Sequence, residues 1–358
     1  MEIWHVAIAA AGTALMIMVL IDVALTAIHP DLEGVLAKQT QRGVWAVAVR
    51  VPAGAMRRRV QALAGPAMIA ATFIMWVFAF ILGFALVVYP FIDDAYRAEP
   101  ELSDLGFLQA LYYSGVTVTV LGYGDITPVT WPLQLATFAA SATGFVLLTG
   151  IVTYVIQVVT ALNERVHLAL RLDDDTGGSA DGTELILNAL TEEGIVDTRR
   201  RLEELGDMIR DIDDRLHRLP MVALCYRFAD PRRDPEPAFE AAFEAAVAAR
   251  LVSTGAPYGR LAPAARSLHR ASHRLIMDVS GQHLNKSARD ELEAGPDDDA
   301  RAELEMIRDR IATRTRVAIH DDALSDDLAD FVYRSRRFLH RLDMLTRWRG
   351  PASMRNRP

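Results

Sequence analysis

The residues best suited to chemistry lie in one run. Residues 104–125 read Asp-Leu-Gly-Phe-Leu-Gln-Ala-Leu-Tyr-Tyr-Ser-Gly-Val-Thr-Val-Thr-Val-Leu-Gly-Tyr-Gly-Asp. Asp104, or Ser103 before it, suits a helix N-cap, and Phe107 to Ser114 suit a short helix. Threonines and β-branched residues then replace helix formers, and Gly122-Tyr123-Gly124-Asp125 follows. A backbone run whose carbonyls all turn to one axis replaces the water around a cation. Turning successive carbonyls the same way requires residues at positive φ, which glycine adopts at little cost. Gly122 and Gly124 are placed for that. The short helix before them aims its negative C-terminal end at the same spot, which favours a cation there. One loop supplies only part of a ring, so several copies must assemble. A plain turn with Tyr123 in an interfacial aromatic belt leaves Thr117 and Thr119 without a role.

Such a loop needs a frame that holds it at membrane depth, because irregular backbone there must be buried in protein or line a water-filled path. The chain supplies one. It has 358 residues, is 51% hydrophobic and 23% charged, and has a mean hydropathy of +0.14. Residues 1–162 hold 7 Lys and Arg and 10 Asp and Glu, out of 38 and 46 in the whole chain. Three apolar stretches stand in this part: Ile3 to Ile28, which carries Asp22, Pro66 to Ile92, and Ile126 to Asn163. Each reaches the roughly 20 residues a spanning helix needs. The first lacks the basic start of a cleaved signal peptide.

Basic residues set the expected orientation. The loop from His29 to Gly65 carries Lys38, Arg42, Arg50, Arg57, Arg58 and Arg59, whereas the loop from Asp93 to Asp104 carries only Arg97 among acidic residues. The first loop is therefore expected inside, the second outside, with the N-terminus external and the C-terminal region cytoplasmic. Residues 41–62 suit either an interfacial amphipathic helix or a short loop with a solvated basic end. The arginines lack the every-third spacing of a voltage sensor. Asp22 is a carboxylate inside a span, a functional-site hypothesis by default. Its position near the cytoplasmic end favours contact with interfacial water or with Arg57 to Arg59.

The segment resembles the pore loop of tetrameric potassium channels, whose filter reads Thr-Val-Gly-Tyr-Gly-Asp. Here Gly122, Tyr123, Gly124 and Asp125 match, with Leu121 in place of the family's Val and Val120 in place of its innermost filter Thr. Thr117 and Thr119 match upstream threonines. The resemblance implies an ion-conducting filter at Val120 to Gly124. It implies filter support from Thr117, Thr119, Asp125, Tyr112 and Tyr113, the tyrosines bracing Tyr123. It also offers Gly144, 20 residues after Gly124, as a hinge in the inner helix; close helix packing is the other use of that glycine. Val120 keeps a carbonyl and loses a hydroxyl, which weakens the innermost site. Val116 stands where some relatives pair a carboxylate with the Asp at 125, so Asp125 needs another partner or stays solvated.

Beyond residue 163 the chain is charged and reads as helical. Asp173 to Gly182 has the composition of a linker. Ile195, Thr198, Leu202, Leu205, Ile209, Ile212, Leu216 and Leu219 form a heptad seam. It suits either a coiled coil between subunits or one amphipathic helix of a bundle, with tethered subunits favouring the first. Asp234-Pro-Glu-Pro237 opens a helix with Phe239, Phe243, Val247 and Leu251 on one face, and further helices are expected at 260–283, 300–317 and 324–348. His269 and His273, at i and i+4, lack a third ligand and have Arg270 and Arg274 beside them, which indicates an exposed polar face. Cys225 is the sole cysteine, expected as buried apolar filler. No nucleotide-binding loop, cyclic-nucleotide module or catalytic pairing is evident.

The expected architecture is an all-α membrane protein. It has an N-terminal spanning helix over 1–30, a loop over 31–65, a potassium-channel-like pore module over 66–162, and a helical cytoplasmic domain over 183–358. Within the pore module the outer helix is 66–92, the pore helix 104–115, the filter 119–125 and the inner helix 131–162. The expected function is passive potassium conduction through a homotetramer in the inner (plasma) membrane. A weakly selective cation channel and a non-conducting receptor or scaffold are the alternatives. No enzyme activity and no cofactor are expected, potassium being only the permeant ion at filter carbonyls. The bilayer is one partner and an unidentified cytoplasmic regulator another; the net charge of −8 argues against nucleic acid.

Overall fold

The computed structural model describes residues 3–27, 34–51, 55–99, 105–218, 225–228, 230–284, 286–315, 317, 319 and 323–346. Among the described residues the regular structure is helical apart from one small ribbon, and the chain divides into two units: residues 1–47 with 66–158, and residues 48–65 with 159–358.

The first unit holds the three long apolar helices. They are α1 (Ile3–Ala27), α3 (Ala55–Val88, in this unit from Pro66) and α5 (Trp131–Thr176, in this unit to Val158), and each contains a window apolar and long enough to cross a membrane. Their outward faces carry Ile17, Ile21, Ile74, Phe78, Phe138 and Phe145, all exposed. That much bare apolar surface fits lipid or further protein, not water. Between α1 and α3 lies α2 (Val35–Arg50). The second expected span therefore starts earlier than Pro66, and 41–62 is not one helix. Alanines, glutamine and leucine around Arg59 are good helix formers, so α3 begins at Ala55 and its charges mark only where its apolar part begins. Where α1 meets α3, Gly12 faces Gly83; a Cβ on Gly12 would lie 2.4 Å from the Gly83 carbonyl oxygen, the close approach that small residues permit between spanning helices.

After α3 the chain forms β1 (Tyr96–Ala98), α4 (Phe107–Val118) and β2 (Ile126–Pro128). The strands pair antiparallel, with Tyr96 opposite Pro128 and Ala98 opposite Ile126. Bonds from Glu99 N to Asp125 O (3.0 Å) and from Val129 N to Ala95 O (2.9 Å) extend the ribbon at both ends. Ile126 to Pro128 were expected to begin the third apolar stretch. They are strand instead, because Pro128 breaks a helix and the ribbon supplies the backbone partners. The core of this unit is built on Phe80, Phe84, Val88, Tyr96, Tyr113 and Leu147.

The second unit contains the continuation of α5, then α6 (Gly182–Asn188), α7 (Ile195–Arg218), α8 (Pro235–Val252), α9 (Ala262–His283), α10 (Lys286–Leu292), α11 (Asp298–Thr315) and α12 (Asp326–Thr346). Asp173 to Asp175 are the last turn of α5, not linker; the chain turns only at Gly177 and Gly178, both at positive φ. Asp181 then caps α6 through Glu184 N at 2.9 Å. The alanine-rich α8 is buried along most of its length, with Phe239 stacked on Phe243 and Phe243 against Phe331 and Phe338 of α12.

Of the two uses open to the heptad seam, the structure shows the helix of a bundle: Leu202, Leu205, Ile209, Ile212 and Leu216 are buried within the chain and α7 packs along α9, while Leu219 lies outside the described residues. A seam of this length is satisfied by any apolar helix face, and α9 of the same chain supplies one. His269 is not on an exposed face. Its ring lies 4.4 Å from that of Phe331, and burial pushes its pKa down to about 4. Among the described residues no three His, Cys, Asp or Glu side chains gather as metal ligands. Cys225 is buried, and burial pushes its thiol up to about 12.

Candidate functional site

The site is built on α4. At its start the amide of Gly106 donates to Gln109 Oε1 at 3.0 Å; Ser103 and Asp104, the expected caps, lie outside the described residues. The helix runs on to Val118, past the expected end at 115, and so carries Thr117 within it. Burial of Val116, Thr117 and Val118 outweighs the weak helix propensity of β-branched residues. Thr119 closes the helix: its amide and its hydroxyl both donate to Gly115 O, at 3.0 and 2.7 Å.

The extended segment that follows leans back on this helix. Val120 N donates to Thr117 O at 3.1 Å, and Leu121 N and Gly122 N donate to Val116 O at 3.0 and 3.5 Å. In a trans peptide the carbonyl points opposite to the N–H of the next residue. The carbonyls of Thr119, Val120 and Leu121 therefore point away from the helix. Alternate residues have positive φ: Val120 at 61°, Gly122 at 61° and Gly124 at 82°. Alternating backbone hand is what lines successive carbonyls along one side. The sequence marks the two glycines and not Val120, whose β-branched side chain makes this conformation an outlier costing about 1–3 kcal/mol. Val120, Leu121 and Tyr123 are exposed within the single chain, Tyr123 at 66%.

The supporting residues divide their work. Tyr112 donates its hydroxyl to Asp125 Oδ2 at 2.7 Å, and Ile126 N donates to Asp125 Oδ1 at 3.0 Å. Asp125 thus finds its partner in Tyr112, in the absence of a carboxylate at Val116. Tyr113 turns elsewhere. Its hydroxyl meets Thr137 Oγ1 of α5 at 2.7 Å, and its ring lies edge-on to Tyr96 and beside Phe84. It fixes α4 to α5 and α3 instead of bracing Tyr123. Thr137, which the sequence did not mark, in turn donates to Leu133 O at 2.8 Å.

Gly144 sits where α5 passes the end of α4. A Cβ there would lie 2.1 Å from the Val118 carbonyl oxygen, so close packing alone requires glycine, and α5 continues unbroken through it.

Asp22 is not open to interfacial water, and the side chains of Arg57 and Arg58 lie outside the described residues. It is 4% exposed, and it accepts from Leu36 N at 2.7 Å, Ala37 N at 3.0 Å and Trp76 Nε1 at 2.8 Å. It caps the N-terminus of α2, whose unpaired amides and positive dipole end suit a carboxylate. Gly34 N donates to Thr26 Oγ1 beside it, at 2.9 Å. No regular spacing links these residues, so no sequence pattern points to the group.

Two spanning helices with a buried half-helix and an irregular, glycine-bearing return between them define the pore module of an ion channel. The comparisons agree: residues 73–161 match the family model described as "Ion channel". A curated relative, the Uncharacterized membrane protein YdjJ of Bacillus subtilis (strain 168), is 28% identical over 131 residues, 37% of this chain and 37% of that protein. The match thus spans well under half of either chain. No solved structure matches.

Proposed function

We propose that this chain is one subunit of a homotetrameric, potassium-selective channel of the inner membrane, conducting passively through a filter of Val120, Leu121, Gly122, Tyr123 and Gly124. The observation that carries this is the segment's backbone. Three successive amides are spent on α4, so the carbonyls of Thr119, Val120 and Leu121 are free to face an ion. The same filter sequence that resembles potassium channels favours potassium over other cations. A single loop per chain favours four copies around one axis, with Val120, Leu121 and Tyr123, exposed in one chain, meeting their counterparts. The basic loop around α2 favours an internal position for it and for residues 163–358, with the N-terminus external. The helical C-terminal region is then the receiver for a cytoplasmic regulator, and Thr117, Thr119, Tyr112 and Asp125 keep the filter in register.

Val120 favours a second reading, a weakly selective cation channel, because it removes one hydroxyl per subunit from the innermost site. Purified protein in liposomes separates the two. Potassium flux well above sodium flux, with a mass of four chains in detergent, supports the first. Comparable fluxes support the second. A tetramer or smaller species with no flux indicates a receptor or scaffold.

A further inference from the structure

Tyr154 lies on α5 ten residues past Gly144 and is 3% exposed, although its neighbours Val152 and Ile156 face outward. Its hydroxyl meets Nε2 of Gln41, on α2, at a long 3.5 Å. Its ring stands edge-on to Trp76 of α3, with centroids 6.1 Å apart. Gln41 is itself only 2% exposed. A buried primary amide depends on what hydrogen bonds the protein offers it.

The start of α2, the helix that carries Gln41, is held by α1 and α3. Asp22 of α1 accepts from the first amides of α2 and from Trp76 of α3, so α1, α2 and α3 are joined by one carboxylate. α5 touches this group through Tyr154: hydroxyl to Gln41, ring to Trp76. Any movement of α5 at this level separates Tyr154 from both and leaves the Gln41 amide buried without the hydroxyl.

We propose that Gln41 and Tyr154 form a latch that holds the inner helix α5 in its resting position, so that α2 sets the balance between closed and open pore. The latch rests on the channel function proposed above. Each subunit carries its own, since every member of the circuit belongs to one chain. The residues are positioning residues: they act on the path through α5 and leave the filter alone.

The test is single-channel recording of the full-length protein in planar bilayers. Three variants are compared with the wild type: Tyr154→Phe, Gln41→Leu and the pair together. Tyr154→Phe keeps the ring on Trp76, and the paired variant removes both ends of the Gln41–Tyr154 bond, so the buried Gln41 amide is not left without it. One intramolecular hydrogen bond biases an equilibrium roughly threefold to tenfold. Each single variant is expected to raise the open-to-closed ratio by about that much per latch, the double variant by no more than either single one, and the ratio of potassium to sodium permeability stays unchanged. An unchanged or lowered open-to-closed ratio, or single effects that simply add, overturns the latch while leaving the channel in place. A wild type that assembles but passes no ions overturns the proposed function and the latch with it.

Discussion

The indole N–H of Trp76 donates to Oδ2 of Asp22 at 2.8 Å, across 54 residues of sequence. The same carboxylate accepts from Leu36 N and Ala37 N, so one side chain of the first span caps α2 and binds the second span. Lipid offers no substitute partners, which makes each of these bonds costly to lose. Asp22→Ala leaves two amides and one indole unsatisfied. The expected destabilisation is about 2–4 kcal/mol, from a lost cap and stranded donors. Trp76→Phe removes one donor and is expected to cost about 1 kcal/mol. Asn at 22 retains an acceptor and falls between. Unfolding in mixed detergent micelles measures the order, and an Asp22→Ala protein as stable as the wild type contradicts the assignment.

Tyr112→Phe removes the hydroxyl that holds Asp125 Oδ2. The Asp125 carboxylate keeps its bond from Ile126 N, at the outer end of the proposed filter. Sustained flux is expected to fall several-fold relative to initial flux, as the filter loses its fixed geometry. Tyr113→Phe acts on the contact with Thr137 instead, so its effect is expected on thermal stability of the assembly. Equal behaviour of the two variants in both measurements argues against the division of roles between adjacent tyrosines.

Val120 joins two properties in one residue: a missing hydroxyl and a φ of 61°. Val120→Thr adds the hydroxyl with little change in shape, and higher potassium-over-sodium selectivity or stronger internal barium block is expected in flux assays. Unchanged selectivity and unchanged block mean that Val120 does not line the path. Val120→Gly relieves the backbone instead. It is expected to stabilise the folded subunit by about 1 kcal/mol, in thermal unfolding, while loosening the filter.

Two buried groups give the helical C-terminal region opposite responses to pH. Asp213 on α7 is 7% exposed; burial, then the nearby Asp278, raises its pKa from 3.8 to about 6. A carboxyl raised in the folded state takes up its proton more readily there than in the unfolded chain. Its contribution is therefore most favourable below pH 3.8 and is lost as pH rises through 6. Asp213→Asn is expected to gain on the order of 2 kcal/mol over the wild type at pH 7.5, and nothing at pH 3.5.

His269 works the other way. Burial, with Arg250 nearby, lowers its pKa from 6.5 to about 4, so its neutral ring is favourable above pH 6.5 and loses that advantage as pH falls through 4. His269→Phe is expected to flatten the loss of stability between pH 6.5 and 4. Thermal unfolding across this range reads both variants, and a wild-type slope that neither variant alters removes both groups as its source.

The three spans, the short helix before the glycines and the helical charged region follow from local properties. Apolar length and glycine spacing act through neighbours in the chain, and they are legible wherever the chain is placed. The filter candidates from Val120 to Asp125 rest on the same local signal. The tertiary structure decided what each long-range partner is. Asp22 looks from its position like a group for water or arginine, yet it caps a helix, because the chain turns back and brings the amides of α2 to it. The seam of α7 carries the same pattern whether it meets another subunit or α9; only packing chose α9. Gly144 reads equally as hinge or contact, and the Val118 carbonyl beside it shows the contact. Tyr112 and Tyr113 are adjacent and alike in type, but on a helix they point about 100° apart. One therefore reaches Asp125 and the other Thr137, because hydrogen bonds depend on direction at a few ångströms and sequence spacing fixes direction only within one helix.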